Sequence, residues 1–79
     1  MKHARADYDR IQDPAGLIPE DEPVFLLRGQ DAMAARHVRD WAEHVELRGG
    51  SPEIVRMARE HADKMDAWPK KKLPDLPSD

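Results

Sequence analysis

Apolar residues fall in three stretches of this chain, each with its own spacing. The densest is Val24-Phe25-Leu26-Leu27. As a strand it would place Val24 and Leu26 on one face and Phe25 and Leu27 on the other. Asp21 or Glu22 before Pro23 also reads as the cap and first position of a short helix that Gly29 ends. Periodicity does not settle a run this short. The strand is the preferred reading and the helix its alternative. A strand apolar on both faces needs cover on both, and a partner for its backbone. The brief alternation Tyr8-Asp9-Arg10-Ile11 could supply that partner. So could the same strand of a second copy, which would make a homodimer.

The second stretch has helical spacing. Ala34, Val38, Trp41, Ala42 and Val45 form one stripe of an amphipathic helix. Asp31 is its expected N-cap, and residues 32–47 contain neither Gly nor Pro. Arg36 with Asp40 and Arg39 with Glu43 have the i,i+4 spacing of solvent-side ion pairs. Gly49-Gly50 is the expected stop, because glycine takes the left-handed cap conformation without strain.

Ser51-Pro52-Glu53 then restarts the chain as an N-cap, a first-turn proline and an acid at the positive helix end. Ile54, Ala58, Ala62, Met65 and Trp68 recur every three or four residues until Pro69 ends the helix. With so short a connection the two helices form an antiparallel hairpin. Ala34, Ala42, Ala58 and Ala62 allow close approach, and Trp41 and Trp68 are expected to fill its ends. On that reading Trp41→Ala costs roughly 3–5 kcal/mol as a core truncation.

The flanks are irregular. Residues 1–6 are polar and expected to fray. Between residues 12 and 23, Asp13-Pro14 and Ala15-Gly16 signal turns, Pro19 and Pro23 exclude a continuous helix, and Leu17-Ile18 is expected to tuck under the helices. Residues 69–79 hold three prolines and the Lys70–Lys72 triplet, so an extended, mobile tail is expected. The predicted fold is mostly α. An N-terminal arm over 1–30, with a short strand or turn, covers a helical hairpin over 31–68, and a flexible tail follows over 69–79.

Composition narrows the function. Seventy-nine residues make one small domain, which buries only about 60% of the surface its unfolded chain exposes. A core of that size supplies only ~3–5 kcal/mol unless something staples it. With no cysteine there is no disulfide, zinc–thiolate site or thiol nucleophile. The net charge of −3 argues against direct nucleic-acid binding. No apolar run reaches the ~18 residues of a membrane helix. The opening MKHARADYDR lacks the apolar core of a secretion signal. The expectation is a soluble protein of the host-cell cytoplasm.

No catalytic or metal-binding constellation emerges. His37 and His44 stand two helical turns apart, about 10.5 Å along the axis, too far to share one metal ion. Asp40 lies between them and His61 on the next helix, but zinc requires four converging ligands with supporting partners. Ser51 is accounted for as a cap, so no Ser–His–acid arrangement remains. Gly49-Gly50 lacks the Lys-Ser/Thr of a phosphate loop. A helix-turn-helix reader fails on charge, since the second helix sets Glu53, Glu60, Asp63 and Asp66 against Arg56, Arg59 and Lys64. Lys71-Lys-Leu-Pro74-Asp-Leu-Pro77 fits a basic-x-x-Pro-x-x-Pro ligand pattern, and the lysines are equally a solubilising run. No enzyme, cofactor or metal is expected.

The acidic arm offers more. Asp7, Asp9, Asp13, Glu20, Asp21 and Glu22 outnumber Arg5 and Arg10 around them, a distribution that steers toward a basic partner. Ordinary solubilising charge is the competing reading. The block from Arg10 to Asp31, RIQDPAGLIPEDEPVFLLRGQD, resembles one in small uncharacterised proteins of phages and mobile elements in Proteobacteria. Some proteins of that size and setting are anti-CRISPR inhibitors of type I surveillance complexes. The resemblance implies a stoichiometric inhibitor that occupies a nucleic-acid-binding surface on a host Cas protein or another defence-complex subunit. Asp9, Asp13, Glu20, Asp21 and Glu22 are then the candidate partner-binding residues. The alternative is a small homodimeric structural or regulatory protein.

Overall fold

A computed structural model describes residues 1–10 and 12–74. They divide into two compact units, the first being Met1–Leu27 and the second beginning at Arg28.

The first unit is held by a parallel strand pair, β1 (Lys2–His3) and β2 (Pro23–Val24), with Lys2 opposite Pro23 and His3 opposite Val24. Lys2 N donates to the Glu22 carbonyl at 2.9 Å. Of the strand expected over 24–27 only Val24 is in the ladder, and residues 25–27 lie beyond its end. The partner of β2 is the stretch expected to fray, not residues 8–11. Tyr8 instead closes a 3₁₀ turn, Ala6–Tyr8, and Ile11 lies outside the described residues. Side chains capture the backbone here, as Asp and Asn commonly do in turns. His3 N donates to Asp9 Oδ1 at 3.3 Å, and Arg5 forms two hydrogen bonds with the Asp7 carboxylate. The Arg5 guanidinium stands over the Tyr8 ring at 4.7 Å, and His3 meets the same ring edge-on.

The expected turn at 13–16 is present. Gly16 N bonds to the Asp13 carbonyl, and Gly16 takes a φ of 62°, where a side chain would be strained. Of the pair after it, Ile18 is half-buried, whereas Leu17 does not tuck away as expected and is 81% exposed. Asp13 binds the main-chain N–H of both Leu17 and Ile18, so the backbone rather than the Leu17 side chain pins this loop.

In the second unit α1 (Ala34–Leu47) and α2 (Pro52–Ala67) pack as the predicted antiparallel hairpin. Their register is visible in two cross-helix clamps. Arg39 contacts Asp66 at 2.7 Å and Asp63 at 2.8 Å, and Arg59 grips both oxygens of Glu46 at 3.2 Å. Arg39 and Glu46 are seven residues apart, as are Asp66 and Arg59 in the reverse order, which is antiparallel packing. The expected Arg39–Glu43 pair gives way to this clamp, because a facing helix offers the guanidinium two carboxylates.

The link between the helices is a Schellman cap. Gly49 N bonds to the Glu46 carbonyl and Gly50 N to that of Val45, with Gly49 at φ 74°. A Cβ on Gly50 would collide with the Val45 side chain. Ser51 Oγ then accepts from Ile54 N at 3.4 Å, with Pro52 opening α2.

Two expectations at the hairpin's margins are corrected. First, α1 begins at Ala34, not Ala32. Asp31 caps an earlier turn, accepting from Met33 N at 2.8 Å. Its backbone is drawn into an extended bridge with Lys72, in which Lys72 N donates to Gln30 O and Ala32 N donates to Lys72 O. Second, the tail is held as far as that bridge. The Lys71 ammonium donates to the carbonyls of Gly29 and Met65, placing a cation at the negative end of α2. Residues 75–79, including Pro77 of the basic-x-x-Pro-x-x-Pro pattern, lie outside the described residues.

The core consists of Ala34, Ala35, Ala42, Val55, Ala62 and Met65. The tryptophans expected in it are not there, each being 53% exposed. Alanines bring the two backbones too close for an indole between them, so both rings move to the margin. On α2 the buried position is Val55, while Ile54 is 45% exposed.

Candidate protein-binding surface

Among the described residues all buried hydrophobic side chains belong to the hairpin, and four of the six are alanine. The larger apolar side chains stand outside. Leu17 and Phe25 are exposed in the first unit, and Met33, Trp41, Leu47, Ile54, Met57, Trp68 and Leu73 in the second. Scattered single hydrophobes are ordinary on a protein surface. Here, however, both tryptophans and the single phenylalanine are half exposed or more. Aromatic residues of this kind are the usual anchors of protein interfaces.

The five acidic residues singled out by sequence separate into two groups. Asp9 and Asp13 use their carboxylates internally, on His3 N and on the N–H groups of Leu17 and Ile18. They shape the first unit. Glu20, Asp21 and Glu22 are exposed, and among the described residues their carboxylates form no ion pair. Their backbones are nonetheless fixed. The Glu20 carbonyl accepts from Met1 N, the Glu22 carbonyl accepts from Lys2 N, and Glu22 N donates to Pro19 O at 3.1 Å. Three adjacent acids are thus presented on an ordered turn leading into β2. The strand pair that orders them has no signal in the apolar pattern, since Lys2 and His3 are polar.

Most arginines of the hairpin are already engaged. Arg56 pairs with Glu53 and Glu60 along α2, and Arg39 and Arg59 make the cross-helix clamps. Hydrogen bonding to Asp63, and then to Asp66, raises the Arg39 pKa above the ordinary guanidinium value. Hydrogen bonding to Glu46 does the same for Arg59. The two cross-helix clamps mark the register of the hairpin, and because all these pairs are exposed each adds little stability.

The histidines do not converge. His37, His44 and His61 are exposed on the helices, and among the described residues no group of three or more His, Cys, Asp or Glu could hold a metal ion. His3 belongs to the first unit, where both ring nitrogens are buried without a hydrogen-bond partner. No helix among the described residues is long and apolar enough to cross a membrane.

Neither family models, curated proteins nor solved structures provide a match to this chain.

Proposed function

We propose that this chain is a non-enzymatic protein-binding module. On this reading it is a phage-encoded, stoichiometric inhibitor of a type I CRISPR-Cas surveillance complex, acting in the host cytoplasm by occupying a surface of one Cas subunit. The observation that carries the binding role is the exposure of its largest apolar side chains around an alanine core. Phe25, Trp41 and Trp68, each half exposed or more, are available as aromatic anchors for another molecule. The ordered acids Glu20, Asp21 and Glu22 suit a basic surface built to hold nucleic acid. The resemblance of residues 10–31 to phage and mobile-element proteins supplies the defence context.

The test is capture of partners by the tagged chain from a lysate of cells carrying a type I complex, read by mass spectrometry. A Cas subunit at near-equal stoichiometry supports the reading, and its absence rules it out. Charge reversal at Glu20, Asp21 and Glu22 should weaken that binding while leaving circular dichroism unchanged. Affinity that does not respond to salt would exclude the electrostatic contribution.

A second reading, a homodimer joined along β2, rests on the outer edge of that strand. The described sheet has two strands, so β2 has a partner on one side alone. Twice the monomer mass in light scattering, lost when Val24 is changed to proline, would establish it.

A further inference from the structure

At the C-terminal end of α2, Arg28 and Gly29 on one side and His61, Lys64, Met65 and Trp68 on the other enclose a cleft of about 390 Å³. Its walls are fixed by the Lys71 ammonium, which ties the Gly29 carbonyl to that of Met65. Gly29 packs beside Trp68 and Met65, where an added Cβ would stand in ordinary contact, 3.4 Å from Trp68 Cβ. The floor is apolar, formed by Met65 and the half-exposed Trp68.

Among the described residues the lining includes no carboxylate and does include the Lys64 ammonium. Glu60, one turn before Lys64 and the obvious ion-pair partner for it, is engaged by Arg56. Lys64 makes no ion pair among the described residues, whereas Arg39, Arg56 and Arg59 are all paired. The apolar surface of Met65 and Trp68 beside the unpaired Lys64 ammonium complements an aromatic side chain flanked by carboxylates.

We infer that this cleft takes such a side chain, presented by an extended acidic segment of the protein partner. The inference rests on reading the chain as a protein-binding module, and it adds a recognition site of opposite charge to Glu20–Glu22. The floor favours a peptide over a phosphate compound, because a ring anchored among apolar groups needs few hydrogen bonds.

Trp41→Phe leaves Trp68 as the sole tryptophan and a reporter inside the cleft. Titrating this full-length variant with acetyl-Glu-Phe-Glu-amide should change Trp68 emission saturably. Acetyl-Lys-Phe-Lys-amide and acetyl-Glu-Ala-Glu-amide should bind about tenfold more weakly, having lost the charge match and the anchor respectively. Adding Lys64→Glu should weaken the first peptide by about the same factor with circular dichroism unchanged. An absence of saturation, equal response to all three peptides, or tighter binding of adenosine monophosphate would overturn the inference. Lysate capture separates it from the inhibitor reading. A Cas subunit retained equally by wild type and Lys64→Glu removes the cleft and keeps the inhibitor. No Cas subunit with wild type removes the inhibitor, and the peptide titration still decides the cleft.

Discussion

Trp41 shows what a single residue's position in the periodic pattern can and cannot specify. Its spacing from Ala34, Val38 and Val45 places it on the right stripe of α1. Depth within a stripe depends on how closely the partner helix approaches, and that is set by Ala42 and Ala62, which are fully buried. Removing the Trp41 ring therefore opens no internal cavity. Trp41→Ala should cost well below the ~3–5 kcal/mol of a buried aromatic truncation, with a native helical signal in circular dichroism. Ala62→Leu, a gain of side chain where no space exists, should cost about 1–3 kcal/mol or more through overpacking. Urea titration of the two variants gives the comparison, and a larger loss in Trp41→Ala would put the indole inside. The same logic explains Val55. A stripe begun at Ile54 satisfies the helical period, but the facing helix selects its neighbour.

Boundaries that depend on adjacent residues were legible, whereas those that depend on distant pairing were not. Ser51-Pro52 and Gly49-Gly50 carry their own chemistry, and the structure uses each as expected. Gly49→Ala forces a side chain into the left-handed region and should cost about 1–2 kcal/mol, measurable as a lower urea midpoint with an unchanged slope. The start of α1 escaped because Lys72, some forty residues onward, holds Asp31 in an extended bridge. The role of Lys71 escaped for the same reason, since a lysine triplet contains nothing that names a carbonyl across the fold.

The cross-helix clamps belong to this scale too. A raised guanidinium pKa means that the contribution of Arg39 is complete below the ordinary value. It is lost only as pH climbs through the raised one, so alkaline titration in the working range leaves the clamp intact. Salt acts on it instead, because its groups are exposed. The melting-temperature gap between wild type and Arg39→Ala should narrow from low salt to about 1 M, where the Debye length is about 3 Å. A constant gap would mean that the arginine acts through packing rather than charge.

Across the whole molecule the two units differ in what they bury. The described residues of Met1–Leu27 include none that is buried, while the hairpin holds the entire core. Local opening follows buried apolar contact. Amide exchange should therefore be fast at Lys2, Glu22 and Val24 and slowest at Ala42 and Ala62. Equal protection in both units would show that they open together. The candidate acidic residues, all in the first unit, were legible to different degrees. Exposure of Glu20, Asp21 and Glu22 follows from charge and prolines in sequence, whereas the structural use of Asp9 and Asp13 depends on backbone groups that only the folded turn brings near.

The alanine seam has a thermodynamic consequence as well. Heat capacity of unfolding grows with the apolar surface newly exposed to water, ordinarily about 12–15 cal/mol/K per residue. A core of four alanines, one valine and one methionine exposes little such surface when it opens. The stability curve of this chain should therefore be shallow, with weak cold denaturation and a broad calorimetric transition, and any partner that covered exposed aromatic surface would add curvature that the isolated fold lacks.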